Sequence, residues 1–264
     1  MIVTTAKTFS HADTIEARRL AANWNAAFKE RRKRSLQKWL QETKEAIYVV
    51  SEVGDKLYHP DLTQSFHFHP SMAWLRVQRI IKGSKDPMVE AMKLQWGMSL
   101  LDCTMGLASD SIVGSFITGQ NGYTAALEKN KYITEIVRKG LQVWREELDT
   151  FNQSMRRIKV VNTDYYSYLK EQTDQAFDII YFDPMFEETQ ESSVHIAPLR
   201  SFTCYDTLQP IHVKEALRVA KRRIVVKSSF PNQHLEKLGF VFKKRRKSAS
   251  FGYAVMEKEG NTYG

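Results

Sequence analysis

Apolar positions follow a regular rhythm from residue 98 onward. Short apolar runs at 98–103, 123–127, 158–161, 177–183 and 223–226 read as strands. Between them, 109–118, 129–139, 165–171 and 210–220 carry helical spacing. The tail differs: 231–238 predicts a short helix, and 240–244 and 250–256 predict consecutive strands flanking a basic turn. Strands that alternate with helices predict a doubly wound, mostly parallel α/β sheet, here of seven strands and ending in an antiparallel hairpin.

The first 85 residues are less regular. Strands are expected at 2–5, 47–53 and 66–68, and helices at 13–27 (Ile15, Ala17, Leu20, Ala21, Trp24) and 72–81. This predicts a small N-terminal α+β region, 1–85, serving as an RNA-binding element or a cap, followed by the main domain, 86–264. The boundary is a Gly83–Asp86 turn rich in breakers. Asp86 precedes Pro87 and an apolar run, the pattern of an N-cap with proline at the first helical position.

Composition narrows the setting. The 264 residues are 42% hydrophobic, enough for a full core, and 39 Lys+Arg against 30 Asp+Glu give a net charge of +9. That excess points to a polyanionic partner without choosing among RNA, DNA and a membrane surface. Cys103 and Cys204 match no metal spacing and read as free thiols in a reducing compartment. The first residues lack the pattern of a signal peptide, and no apolar stretch is long enough to span a bilayer. A soluble, cytoplasmic protein with no membrane partner and no metal is expected.

The most informative segment is Phe-Asp-Ile-Ile-Tyr-Phe-Asp-Pro-Met-Phe, residues 177–186. An apolar strand ends in Asp183, Pro184 and Phe186, at the edge where open α/β sheets bind ligands. A carboxylate that accepts from an amine, beside a stacking ring, suits a planar base bearing an exocyclic amino group. Upstream, Asp102-Cys103-Thr104-Met105-Gly106-Leu107-Ala108-Ser109-Asp110 forms a strand–turn–helix junction suited to a nucleotide cofactor. It carries one glycine of a G-x-G-x-x-G pattern, so an ordinary βα loop is an equal reading. Glu128, at the end of the next strand, can accept from ribose hydroxyls or simply favour the following helix dipole. Asp164 can accept an adenine amino group with Tyr165 against the ring, or it can cap the next helix.

The order of elements resembles that of Rossmann-like class I methyltransferases. More specifically, residues 88 to 256 resemble the RsmJ-type small-subunit ribosomal RNA guanine-N2 methyltransferases. The family's first motif, Asp-x-Thr-x-Gly-Leu-Gly-x-Asp, is matched by Asp102, Thr104, Gly106, Leu107 and Asp110. Its Glu-Arg-Ser is similar to Glu128-Lys129-Asn130, and its Arg-Val-Val-Val-Lys to residues 223–227. Its Asp-Pro-Met-Phe is identical to residues 183–186, Met185 included. The resemblance implies S-adenosylmethionine as cofactor, held by Asp102, Thr104, Gly106, Asp110, Glu128, Asp164 and Tyr165. It implies methylation of guanine N2 in 16S rRNA or the small subunit, with Asp183, Pro184 and Phe186 catalytic and Met185, Arg200 and Lys227 towards the substrate.

The chain departs from the family in three places, one being residues 1–85, which match the typical member poorly. Ala108 stands where the family has a glycine. After Phe186, where the family continues with lysines, this chain has Glu187, Glu188, Glu191, Ser192 and Ser193, with positive charge only at His195 and Arg200. Two other functions stay open: methylation of a protein amide or small amine, and non-catalytic RNA binding. Two basic runs, Arg31–Arg34 (with Lys29) and Lys243–Lys247, tilt the balance towards RNA, although such runs are usually solvated faces. Phe66-His67-Phe68-His69-Pro70 reads as an edge strand closed by proline, a stacking role for either ring being the minor alternative.

Overall fold

A computed structural model describes residues 1–60, 65–184, 208–243 and 251–258. Met185, Phe186 and Arg200 lie outside the described residues. So do the acidic stretch after Phe186, Cys204 and the second basic run beyond Lys243. Contacts group Met1–His69 with Glu135–Arg145, and the described residues of Pro70–Thr134, Glu146–Thr189 and Cys204–Gly264 as a second unit. Along the N-terminal part of the chain the grouping changes at His69/Pro70.

The first unit holds β1 (Ile2–Thr5), α1 (His11–Trp24), β2 (Ala27–Phe28), α2 (Leu36–Thr43), β3 (Ile47–Val50), β4 (Lys56–Tyr58) and β5 (Phe66–His67). Its sheet runs β2-β1-β3-β4-β5, with β1 parallel to both neighbours and the later pairs antiparallel. Ile2, Leu36, Trp39, Ile47 and Val49 form a small core. The Phe66–His67 strand is the sheet's edge, as its Pro70 stop suggested. Phe66 and Phe68 are both buried, and Phe68 packs edge-on against Trp144, so neither is free to stack on RNA.

The second unit begins with α3 (Ser71–Ile81) and α4 (Pro87–Met92). There follow β6 (Ser99–Asp102), α5 (Ser109–Thr118), β7 (Tyr123–Glu128), α6 (Lys131–Val143, whose later part groups with the first unit) and α7 (Asp149–Arg157). Then come β8 (Lys159–Asn162), α8 (Tyr165–Glu171), β9 (Phe177–Phe182) and α9 (Pro210–Val219). The last described elements are β10 (Ala220–Ser229), α10 (Gln233–Lys237), β11 (Val241–Phe242) and β12 (Phe251–Glu257). The seven-stranded sheet runs β11-β12-β10-β9-β6-β7-β8. Pairs from β10 to β8 are parallel, and β12 is antiparallel to β10 and β11, so the expected parallel sheet and terminal hairpin are both present.

Both faces of the central strands are covered, which is why they read as unbroken apolar runs. Leu101, Ile180 and Val226 join a cluster with Leu169 of α8, Val213 of α9 and Leu235 of α10. Leu100, one residue earlier, meets α5 at Gly114, where a Cβ would come within 2.3 Å of its Cδ2. At the amino edge, Asp178 ties three strands: it accepts from Ser99 N–H (2.9 Å), Ser99 Oγ (2.8 Å) and Arg222 Nε (3.0 Å). No helix among the described residues is long and apolar enough to cross a membrane.

Candidate active site

Strands β6 to β10 end at one edge of the sheet, and the order reverses between β6 and β9. Such a reversal opens a crevice at the carboxyl ends of the strands. The turn after β6 is fastened on both sides of it. Met105 N–H donates to Leu127 O (2.9 Å), and Cys103 N–H to Tyr181 O (2.9 Å). Asp183 N–H donates to Thr104 Oγ1 at 2.6 Å, joining the end of β9 to the turn after β6.

Within the turn, Gly106 has φ +49° and nothing within 4 Å of where a Cβ would stand. Its left-handed backbone explains the glycine, and the open space lets a ligand approach the chain closely. Ala108 also lies left-handed, at φ 62° and ψ 19°, just before α5. This is the position where the resembling family has glycine, and holding alanine there costs on the order of 1 kcal/mol. Asp102 braces the turn from beneath: Oδ1 accepts from Thr104 N–H (3.0 Å) and Oδ2 from Ser111 Oγ (2.5 Å). Burial pushes its pKa up to about 7, Asp110 and Asp183 adding to the rise while Ser111 and Thr104 oppose it.

Glu128 stands across the turn at the end of β7. It accepts from Asn130 N–H (2.8 Å) and from the backbone of Gly106 and Lys129. Burial raises its pKa, and those donors offset part of the rise. The helix start belongs to Asn130, whose Oδ1 accepts from Tyr132 (2.9 Å) and Ile133 (3.2 Å). Asp164, in the connection after β8, caps α8 through Ser167 N–H (3.0 Å), and Lys129 Nζ lies 3.8 Å from its other oxygen. Tyr165 meets Phe182 edge-on at 5.4 Å, and its hydroxyl is 3.0 Å from His212 Nδ1.

A chain of alternating charges leads to Asp183. Asp86 caps α4, accepting from Met88 (3.1 Å) and Val89 (3.2 Å), and pairs with Arg76 Nε at 2.8 Å. Arg76 continues to Asp110 in the first turn of α5. Asp110 also accepts from Tyr181 OH (2.8 Å) and lies 3.7 Å from Lys227 Nζ. Lys227, near the end of β10, pairs with Asp183 Oδ2 at 2.6 Å, beneath the Phe251 ring at 5.2 Å. Exposure of the acids grows along this chain, from 7% for the Asp86 side chain to 35% for Asp183, the one open to a ligand.

Desolvation works to raise Asp110, but the Lys227 and Arg76 cations outweigh it and bring its pKa below the usual carboxylate range. Desolvation raises Asp183 despite Lys227, with Asp110 adding to the rise. Asp110 therefore groups with Asp183, whereas Gly106 and Glu128 group around the turn. Arg76, Tyr181 and Ser111 take part without having been singled out by sequence. Arg76 had a signal: it shares a helical stripe with buried Ala73 and Val77, and a charge on such a stripe needs a partner.

The family model described as "Putative SAM-dependent methyltransferase" matches residues 24–253. The chain belongs to this methyltransferase family. It is 36% identical over 258 residues to "Uncharacterized protein YpiP" of Bacillus subtilis (strain 168), covering 97% of this chain and 99% of that protein. Over 97 residues it is 32% identical to "Ribosomal RNA small subunit methyltransferase J" of Francisella tularensis subsp. novicida (strain U112), 36% of this chain and 38% of that one. Among solved structures, the SAM-dependent methyltransferase NGO1261 from Neisseria gonorrhoeae superposes with a TM-score of 0.66. At 15% identity over 98% of this chain and 97% of that one, it shows a shared fold.

The methyltransferase's cofactor is S-adenosylmethionine, and the residues present fit it. The open turn at Gly106 leaves room beside the backbone, and the partly buried carboxylate of Glu128 at the neighbouring strand end suits ribose hydroxyls. Asp102, 1% exposed with both oxygens taken, supports that turn from within.

Proposed function

We propose that this methyltransferase modifies an exocyclic amine, most specifically guanine N2 of small-subunit ribosomal RNA. The observation that carries the reading is the 2.6 Å bond from Asp183 N–H to Thr104 Oγ1, which ties a part-exposed carboxylate to the cofactor turn. The motif Asp183-Pro184-Met185-Phe186 and the partial similarity to the Francisella ribosomal RNA enzyme support RNA as the substrate.

S-adenosylmethionine, when bound, supplies an electrophilic methyl group on a sulfonium. An aromatic amine is a poor nucleophile because its lone pair is delocalised into the ring. Asp183 and the backbone carbonyl at Pro184 accept from the amine's N–H groups, turning the lone pair out of conjugation and stabilising positive charge as it develops on nitrogen. Lys227 fixes one oxygen of Asp183, leaving the other for the substrate. By the family resemblance, Phe186 is the residue to stack on a base drawn out of its helix, with Met185 and Arg200 assigned to substrate binding. The proton lost from nitrogen passes to Asp183 or to water after the methyl has moved. Glu128, Asp164 and Tyr165 hold the adenosine, Gly106 and Thr104 shape the turn, and Asp102 and Asp110 keep it in place.

The test separates binding from transfer. Asp183→Ala is expected to lower kcat for methyl transfer by about a hundredfold or more while leaving the calorimetric affinity for S-adenosylmethionine near wild type. Transfer at wild-type rate by this variant would remove Asp183 from the reaction.

A further inference from the structure

The first unit contains a second carboxyl edge. β1 lies between β2 and β3 and is parallel to both, so the chain leaves all three strands on one side of that sheet. In open α/β sheets this is the edge that meets ligands. The connections there are residues 6–10 after β1, 29–35 after β2 and 51–55 after β3. They carry Lys7, Lys29, Arg31, Arg32, Lys33 and Arg34 against Glu30, Glu52 and Asp55. Asp55 is buried and already paired with Lys139 at 2.8 Å, so it does little to offset the cations.

The basic side chains are lightly held. Arg32 Nε is 3.8 Å from Glu30, Arg31 Nε donates to Arg34 O at 3.4 Å, and the Arg34 guanidinium lies over Trp39 at 5.6 Å. Lys7, Arg32, Lys33 and Arg34 are exposed, and Phe9, 54% exposed, stands in the connection after β1 at the same edge. Exposed cations and an exposed ring on one edge match what a single RNA strand requires: charge for its backbone and a platform for a base. The large exposed apolar groups of this edge, among the described residues, are Phe9 and Val53, too small an area for insertion into a bilayer.

We infer that this edge docks the RNA substrate, with Lys7 and Arg31–Arg34 on phosphates and Phe9 under a base. The inference rests on the reading of the substrate as RNA. Its test uses the full chain and a labelled transcript of small-subunit ribosomal RNA, with binding measured across a salt series. Arg31→Ala, Arg32→Ala and Lys33→Ala together are expected to weaken binding by about tenfold or more and to make the slope of log affinity against log salt shallower by about 2. Phe9→Ala is expected to weaken binding with its salt slope unchanged. The affinity for S-adenosylmethionine should stay at the wild-type value in both, which shows that the variants are folded.

A triple variant with wild-type affinity and slope would overturn the docking surface while leaving RNA as the substrate. A wild-type chain that binds neither the transcript nor the small subunit would overturn both. If the triple variant lost binding to phosphatidylglycerol vesicles but not to RNA, the cluster would be a membrane contact and the inference would fall.

Discussion

A carboxylate enclosed as fully as Asp102 keeps its proton to higher pH than it would in water. Its folded pKa of about 7 lies above the unfolded value of about 3.9. Between those values the folded state holds a proton that the unfolded chain has released, so on this account stability falls as pH rises through that window. It is greatest below about pH 4 and the loss is complete above about pH 7. Asp102→Asn is expected to flatten this part of the profile of Tm against pH, and a variant as pH-dependent as wild type would contradict the assignment. In the proposed reaction, Lys227 acts on Asp183. Its ammonium, 2.6 Å from Asp183, opposes the desolvation that raises that carboxylate. In Lys227→Met the Asp183 pKa rises further, and the acid limb of the kcat profile should move up by about one pH unit. An unmoved limb would show that Asp183 is not the group titrating there. Asp183 and Glu128 were visible in the sequence because each acid closes an apolar run. Arg76 was easier to miss, because its partner Asp110 lies far along the chain and only folding brings the two together.

At the scale of elements, one guanidinium joins α3 to the starts of α4 and α5. Arg76 reaches Asp86 at the start of α4 and Asp110 at the start of α5, and its side chain is only 18% exposed. Removing it leaves two acids without their cation in a poorly solvated place. Arg76→Met is expected to cost about 3 kcal/mol in denaturant unfolding; a loss within error of zero would mean that α3 is held by apolar packing alone. The same pairing adds to the packing that groups α3 with the second unit. Elements with long apolar runs were legible, β6, β7 and β9 among them. Those missed were short or carried few apolar positions. In α7 the signal was Phe151 and Met155, one helical turn apart and both buried in an otherwise polar stretch. In β4 only Leu57 points inward, too little for a period of two to register.

At the scale of the molecule, alternation of strand and helix foretold a doubly wound sheet, and the hairpin at its end was equally visible. The order β11-β12-β10-β9-β6-β7-β8 was not spelled out by periodicity, because pairing between distant strands leaves no local mark. It emerged only with the folded sheet, and it governs the site: it sets β9 beside β6, so that Asp183 meets the turn after β6. The net charge of +9 suggested a polyanion without locating it, since charge carries no address until the topology collects the loops. The central claim is that the Asp183 site delivers a methyl group to an exocyclic amine of ribosomal RNA. Small subunits and naked ribosomal RNA from cells lacking this protein should be incubated with it and S-adenosylmethionine labelled in the methyl group, then digested to nucleosides. The expected product is N2-methylguanosine at a defined position. Label on a ribose oxygen, a ring atom or a ribosomal protein, with none on an exocyclic amine, would contradict the account.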